Sequence, residues 1–157
     1  VKRIFMVKND FHARFDATYR TYEYYISLEK NPFSEKLAWQ HWRKPLDVEK
    51  MNEACKILFE YSDFESFAKI GGDNKTNICK IYHANWEQNE NELKFTISAD
   101  RFLRNMVRAI VGTMVEIGSG NLKPTDLRKV IEAKNRNAAG TSAPAHALFL
   151  VDVGYEF

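Results

Sequence analysis

The chain has 157 residues, enough for one domain or for half of a larger enzyme. Its 45% apolar and 13% aromatic content allows a substantial core, and 23 basic against 21 acidic residues exclude a disordered basic arm. The net charge of +2 neither favours nor excludes nucleic acid, because RNA binding depends on local patches. No run of 18 apolar residues and no signal-like segment occurs, which predicts a soluble protein.

Cysteine and histidine spacing argues against a metal site. Cys55 and Cys79 lie far apart, which is typical of reduced thiols in a cytoplasmic protein. The histidines lack paired ligand spacing and are His12, His41, His83 and His146. We therefore predict no metal and a cytoplasmic location.

The amino-terminal stretch predicts a strand that carries aromatic residues on both faces. Residues 1–7 are apolar and are either a strand or the end of a linker. Because the chain begins with Val1 rather than methionine, we interpret it as a piece of a longer protein. Further on, alternation places Arg20, Tyr22, Tyr24 and Ile26 on one face and Thr21, Glu23, Tyr25 and Ser27 on the other. Such a pattern is typical of a strand that is covered by other elements on one face and has a functional role on the other.

The next segment combines an aromatic cluster with a capped helix. Trp39, His41 and Trp42 lie close together beside an arginine, an arrangement that can stack RNA bases but more often is packing on a loop. Asp47 is a good N-cap for a helix predicted from Val48 to about Tyr61.

A polar loop and a hairpin follow. Residues 69–77, KIGGDNKTN, lack a Walker pattern, and their lysines are only a weak indication of phosphate contact. A strand is predicted over residues 78–86, and residues 87–92 read as the connection to a second strand. That second strand alternates cleanly from Leu93 to Ala99.

An amphipathic helix is predicted from Leu103, with Gly118 and Gly120 as its stop. Arg104 and Arg108 lie one turn apart on the flank of its apolar stripe. On pattern alone they are solvated edge residues, or else one of them leans over the apolar face toward an anionic partner supplied from elsewhere.

The carboxyl-terminal part predicts a shorter helix after Pro124, a loop of small residues over 134–147 and a closing strand from Leu148 to Tyr155. The order is strand, helix, strand, strand, helix, helix, strand. This indicates an α+β fold in which helices cover one face of a mostly antiparallel sheet. No hydrolase, zinc-protease or dinucleotide-binding motif occurs, so the residues alone support an α+β domain with an aromatic-and-arginine strand able to face RNA.

Three stretches together are more specific. FHARFDATYRTYEYYI, FLRNMVRAIVGTMVEIGSG and APAHALFLVDVGYEF resemble, in order and spacing, the carboxyl-terminal half of the tRNA pseudouridine synthase A family. The likeness runs from about Asp10 to the end. It implies that residues 1–157 form a single domain, half of a pseudouridine-synthase fold, whose partners are tRNA, the amino-terminal half of the same protein and a second subunit in a homodimer.

The resemblance also implies a reaction. The family isomerises uridine to pseudouridine in the tRNA anticodon stem-loop, without cofactor or metal. Its nucleophile is an aspartate in a G-R-T-D motif of the amino-terminal half, and that motif is absent here. The resemblance therefore implies that this fragment is inactive alone.

Site residues carry over onto matching positions. Tyr22 matches the tyrosine that packs against the target uracil and is a candidate for removing the C5 proton; a phenol offers both a π-face and a weak base. Arg108 matches the arginine that pairs with the catalytic aspartate and keeps it ionised, so without that partner it should be solvated or ion-bound. Leu148 matches the leucine that borders the base from the other side. The RNA-facing candidates of the first motif are His12, Arg14 and Arg20.

Two positions depart from the family pattern. Cys79 stands where the family often has arginine, which puts a phosphate or structural contact in doubt. Ala147 stands where glycine usually precedes the leucine, and its methyl group would be costly if the position required positive φ or a tight approach to the base.

Two other functions remain open at this stage. In the first alternative the chain is a complete RNA-binding module without catalysis. In the second it is a protein-interaction domain that uses Trp39 and Trp42 and has no RNA affinity. The salt dependence of tRNA binding separates these two.

Overall fold

The computed structural model describes residues 4, 6–72 and 75–156. Within them the chain forms five strands and three α-helices. In order they are β1 (Ala17–Ser27), β2 (Trp39–Gln40), α1 (Val48–Leu58), β3 (Ile81–Asn89), β4 (Glu92–Ala99), α2 (Met106–Gly118), α3 (Asp126–Glu132) and β5 (Leu148–Tyr155). The predicted α+β class is confirmed, and the predicted order is confirmed with the addition of β2.

The long strand β1 organises the sheet. One edge pairs antiparallel with β4, from Arg20 opposite Ala99 to Ser27 opposite Glu92. The other edge pairs antiparallel with β5 and, at its end, parallel with the two-residue β2. β3 completes the sheet beyond β4. Because β1 has neighbours on both edges, its side chains hold fixed positions in the middle of the sheet.

The helices cover one face of this sheet, and the alternation of the strands decides which. Every second residue of β4 (Leu93, Phe95, Ile97, Ala99) has no exposed surface, while the residues between are half-buried. Trp86 of β3 stacks on Phe95 with ring centroids 4.8 Å apart. The helix α2 contributes eleven buried residues to the same core, including Gly112 and Gly118.

The helix α1 is fastened to the outer strand by Asn52. Its side chain donates to the carbonyl of Trp86 over 3.0 Å and accepts from the Trp86 N–H over 2.8 Å. This pairing satisfies backbone groups at the edge of the sheet, which would otherwise be open to a foreign strand. Asp47 caps α1 as predicted, accepting from the N–H of Lys50 over 3.1 Å.

Several predicted boundaries were wrong. α1 ends at Leu58 rather than near Tyr61, and β3 runs to Asn89, so the hairpin turn is confined to Glu90 and Asn91. α2 begins at Met106 rather than Leu103, because Asn105 has a left-handed backbone with φ of 72°. Residues 1–7, predicted as a strand or a linker end, lie partly outside the described residues, and positions 4, 6 and 7 belong to no regular element.

No helix in the described part of the chain is long and apolar enough to span a membrane.

Candidate functional site

An open cleft of about 690 Å³ lies where β1, the β4–α2 turn, the start of α2 and the start of β5 meet. Five of its side chains are cationic, and none of those the structure describes is a carboxylate. The lining residues are Arg14, Tyr22, Lys69, Arg101, Phe102, Leu103, Arg104, Asn105, Met106, Val107, Arg108, Ser142 and Leu148. The cleft therefore suits an anionic ligand with an apolar or aromatic portion.

Tyr22 lies in the middle of β1, paired with Ile97 of β4 and Leu150 of β5. It is half-buried, and Phe102 meets its ring edge-to-face with centroids 5.3 Å apart and planes at 84°. Strand pairing on both sides and the Phe102 contact together fix the plane of the phenol. An aromatic face held in this way is suited to stack on a planar base.

Arg108 lies in the first turn of α2 and is half-buried. Its Nε donates to the carbonyl of Ala143 over 2.6 Å, and the N–H of Ala143 donates to the carbonyl of Arg108 over 3.0 Å. Arg108 was expected to be solvated or ion-bound, and this expectation is wrong for Nε, which bonds the protein backbone. In the described part of the chain no acceptor bonds Nη1 or Nη2, so that end remains available on the cleft side.

The segment that Arg108 grips is pressed against the backbone of α2. A Cβ at Gly112 would lie 1.8 Å from the carbonyl oxygen of Thr141, so only glycine permits this approach. The N–H of Gly140 donates to the hydroxyl of Thr113 over 2.9 Å. Helix and loop are therefore in direct backbone contact at this point.

Tyr24 holds the next carbonyl of the same segment. Its hydroxyl donates to the carbonyl of Pro144 over 2.8 Å, and its side chain has no exposed surface. Burial raises the pKa of the Tyr24 phenol, partly offset by the nearby Arg108 cation, so the phenol remains a donor. Arg108 and Tyr24 thus fix two successive carbonyls just before β5.

Leu148 opens β5 opposite Tyr24 and lines the cleft beside Tyr22 and Arg108. The preceding Ala147 is fully buried, and it is not among the described residues with positive φ, which are Gly71, Glu90, Asn105, Gly120 and Lys134. Ala147 therefore carries no left-handed strain, which was one of the two costs considered above for alanine at this position.

The three residues of the first motif have different surroundings. Arg14 is exposed and lines the cleft. Arg20 is half-buried and donates Nη1 to the carbonyls of Ala17 over 2.8 Å and Asp100 over 2.7 Å, and Nη2 to the carbonyl of Arg14. His12 is not among the cleft-lining residues; its Nδ1 accepts from the N–H of Arg14 over 3.1 Å. Arg20 and His12 therefore organise the loop that carries Arg14.

A second groove of about 760 Å³ adjoins the cleft and shares Arg14, Tyr22, Arg101 and Phe102 with it. It adds Arg20 and Lys75, among others. Sequence reasoning missed Arg101 and Phe102, although the run RFLR, which ends two positions before the first residue of α2, was a usable signal. The two lysines of the polar loop, a weak indication in the sequence, lie one in each depression: Lys69 in the cleft and Lys75 in the groove.

Cys79 is a core residue. It has no exposed surface, and burial raises the pKa of its thiol to about 11. Its N–H donates to the carbonyl of Ser62 over 2.8 Å. A side chain enclosed in this way is unavailable to a phosphate, so the departure from the family's arginine is a change inside the core.

The aromatic cluster of the sequence divides in the structure. Trp39 packs against the core from β2 and meets the His41 ring at 5.1 Å, whereas Trp42 is exposed and has Arg43 over its ring at 5.1 Å. Neither tryptophan lines the cleft. Among the described residues no group of three or more His, Cys, Asp or Glu side chains is placed to hold a metal ion.

Comparison with known proteins matches the sequence of this chain to one family. A family model described as tRNA pseudouridine synthase matches residues 54–156. The chain is 59% identical to tRNA pseudouridine synthase A of Bacteroides fragilis over 156 residues, which is 99% of this chain and 62% of the relative. It is 57% identical to the protein of that name from Parabacteroides distasonis over 155 residues, which is 99% of this chain and 61% of the relative.

A more distant relative matches over the same extent. The tRNA pseudouridine synthase A of Bacillus velezensis is 38% identical over 158 residues, with 99% of this chain and 64% of the relative covered. The chain thus spans a little over three fifths of the length of these curated relatives. These matches show that the chain belongs to the tRNA pseudouridine synthase family.

Proposed function

We propose that residues 1–157 are the carboxyl-terminal half of a tRNA pseudouridine synthase that isomerises uridine to pseudouridine in the anticodon stem-loop. One observation carries the proposal. Tyr22, Arg108 and Leu148, which are distant in sequence, line a single cleft rich in cations. A uridine in RNA brings both features that such a cleft suits, a planar base and a charged backbone.

The target base would enter the cleft after leaving its stack. Tyr22 would lie against one face of the uracil, held by Phe102, and Leu148 would border the other side. In the reaction the bond between C1′ of the ribose and N1 breaks, the uracil turns, and C1′ bonds to C5. C5 then loses its proton, for which the Tyr22 phenol is the candidate acceptor, and N1 gains one.

The nucleophile would come from the amino-terminal half of the same protein. Arg108 has Nε committed to Ala143, which leaves Nη1 and Nη2 as a fork that suits a carboxylate. Such a pair would orient an aspartate and keep it ionised. The described residues that line the cleft include no carboxylate, and this supports a site completed by another part of the protein.

The proposal extends to partners and location. tRNA is the proposed substrate, and the working form is proposed to be a homodimer in the cytoplasm without cofactor or metal. Five cationic side chains in the cleft support an RNA substrate. Two free, buried cysteines, Cys55 and Cys79, support a reducing compartment.

The test is pseudouridine formation on an unmodified tRNA transcript by the full-length gene product, beside its Arg108→Ala variant. We expect an active wild type and a variant slower by orders of magnitude, because the carboxylate would lose its orienting partner. Lys56→Ala removes one charge from the exposed side of α1 and is the matched control, expected to keep wild-type activity.

Two further outcomes bear on the proposal. Residues 1–157 alone should form no pseudouridine, and detectable product from the purified fragment would refute the missing-nucleophile argument. A wild type that modifies no tRNA but binds it with a steep salt dependence would instead favour a stand-alone RNA-binding module.

A further inference from the structure

The turn between β4 and α2 presents two arginines to the cleft. Arg101 is half-buried and Arg104 is exposed, and both line the cleft. Within the described residues neither guanidinium donates a hydrogen bond, and neither has a carboxylate within the 4.0 Å of an ion pair. Two cations on one short turn without an acidic partner indicate an anion that comes from outside the chain.

The carboxylate of the residue before Arg101 accepts hydrogen bonds from the backbone. Asp100 Oδ1 accepts from the N–H of Arg101 over 2.7 Å and from the N–H of Lys80 over 2.8 Å. The N–H of Asp100 donates in turn to the carbonyl of Lys80 over 3.1 Å. Asp100 therefore fixes the backbone that carries Arg101 and, within the described residues, forms no ion pair with its side chain.

The far end of the turn is fixed as well. The carbonyl of Arg104 accepts from the N–H of Lys69 over 2.9 Å, and the left-handed Asn105 donates its side-chain amide to the hydroxyl of Ser142 over 2.7 Å. A backbone held at both ends presents its guanidinium groups with little ordering cost on binding. The turn is thus prepared for its ligand in advance.

Arg101 differs from Arg104 in position. Arg104 lines the cleft but not the adjoining groove, whereas Arg101 and its neighbour Phe102 line both. Tyr22 lies at the same junction. A strand passing from the groove into the cleft would therefore cross Arg101 just before its base reaches Tyr22.

We propose that Arg101 binds a backbone phosphate directly beside the target nucleotide and so positions the RNA strand between groove and cleft. The inference rests on the proposed function. A phosphodiester fits better than a second protein carboxylate, because Arg108 already provides for one carboxylate and the cleft holds four more cations. Arg101 is a positioning residue that acts on the RNA strand, whereas Tyr22 and Leu148 border the base and Arg108 serves the carboxylate.

The first experiment measures binding of the full-length protein to unmodified tRNA over a range of salt concentrations. Arg101→Ala should weaken affinity about tenfold or more and make the slope of log K against log salt shallower by about 0.7. The control Lys56→Ala should change neither. Because the Arg101 side chain donates no hydrogen bond in the described structure, we expect the variant to unfold at the wild-type temperature.

The second experiment locates the phosphate. In a synthetic stem-loop RNA, the phosphates that flank the target uridine are replaced one at a time by a neutral methylphosphonate. Each such RNA carries a 2′-O-methyl sugar on the 5′ side of the replaced phosphate. The reference RNA has the same 2′-O-methyl sugar and phosphates throughout. At one position the wild type should lose about as much affinity as Arg101→Ala does, and the variant should lose nothing further. Losses that add at every position would overturn the proposal.

Binding and catalysis are read separately. An Arg101→Ala protein that binds tRNA with wild-type affinity and slope overturns the phosphate contact even if pseudouridine forms normally. A wild type that binds but makes no pseudouridine refutes the proposed function, while the methylphosphonate comparison still decides on Arg101. In an active enzyme, Arg101→Ala should raise KM at least tenfold and change kcat by less than about threefold.

Discussion

Arg108 and Ala143 hold each other through two hydrogen bonds, Nε to the Ala143 carbonyl at 2.6 Å and the Ala143 N–H to the Arg108 carbonyl at 3.0 Å. A helix residue and a loop residue are thereby locked in one relative position. The pairing aims the remaining Nη1 and Nη2 groups of Arg108 and also places the chain that leads into Leu148. One contact therefore positions two of the three proposed active-site residues.

Replacement of Arg108 by lysine tests this geometry. An ammonium group keeps the charge but cannot bond the Ala143 carbonyl through one nitrogen and present a fork through two others. We expect Arg108→Lys in the full-length protein to be slower than wild type by at least about a hundredfold in single-turnover pseudouridine formation. Near wild-type rates would mean that charge alone is sufficient.

Gly112 tests the contact between α2 and the loop, and Gly118 of the same helix is its control. A methyl group at Gly112 would meet backbone, whereas one at Gly118 would meet the flexible side chain of Met51 at 2.6 Å from its sulfur. We expect Gly112→Ala to lower the free energy of unfolding by about 1–3 kcal/mol and Gly118→Ala to cost less. Denaturant unfolding of both variants gives the comparison, and equal losses would contradict it.

Tyr24 and Tyr25 are adjacent but point to opposite faces of β1. Tyr24→Phe leaves the Pro144 carbonyl without its buried donor and should lower the free energy of unfolding by about 1–2 kcal/mol. Tyr25→Phe removes a bond from the Tyr25 hydroxyl to Glu23 on the half-buried face and should change it by less than about 0.5 kcal/mol. Thermal unfolding of both variants, followed by circular dichroism, tests the difference; the reverse order would show that the Pro144 contact is dispensable.

The two thiols predict a decline of stability at alkaline pH. Burial raises the pKa of Cys55 to about 12 and that of Cys79 to about 11, above the ordinary thiol value. The folded state then holds protons that the unfolded state has lost, so this contribution is complete below about pH 8.5 and is lost as pH rises toward 11–12. Stability measured across this range should fall less steeply in Cys55→Ala/Cys79→Ala than in wild type.

The same burial predicts that both cysteines react slowly with a thiol reagent in the folded protein and rapidly after unfolding in denaturant. Rapid modification of the native protein near neutral pH would show that the thiols are accessible, and the pH argument would then fail.

Much of the fold could be predicted from the sequence because the relevant signals are local. The alternation of β4 from Leu93 to Ala99 and the cap at Asp47 each depend on residues a few positions apart, and both predictions were confirmed. The bounds of β5, Leu148 to Tyr155, were also predicted correctly, since a loop of small residues with a proline ends directly before it. The family could be recognised for a similar reason, because its motifs are contiguous stretches.

The start of α2 and the composition of the cleft were decided by tertiary structure. Asn105 has a left-handed backbone, and its side chain donates a hydrogen bond to Ser142. Ser142 is distant in sequence, so local propensity cannot take this contact into account. Asp100, which precedes the cleft-lining Arg101, is tied to Lys80, the residue directly before β3. Sequence patterns determined which residues form strands and helices, whereas the positions of the charges depend on long-range hydrogen bonds that exist only once the chain has folded.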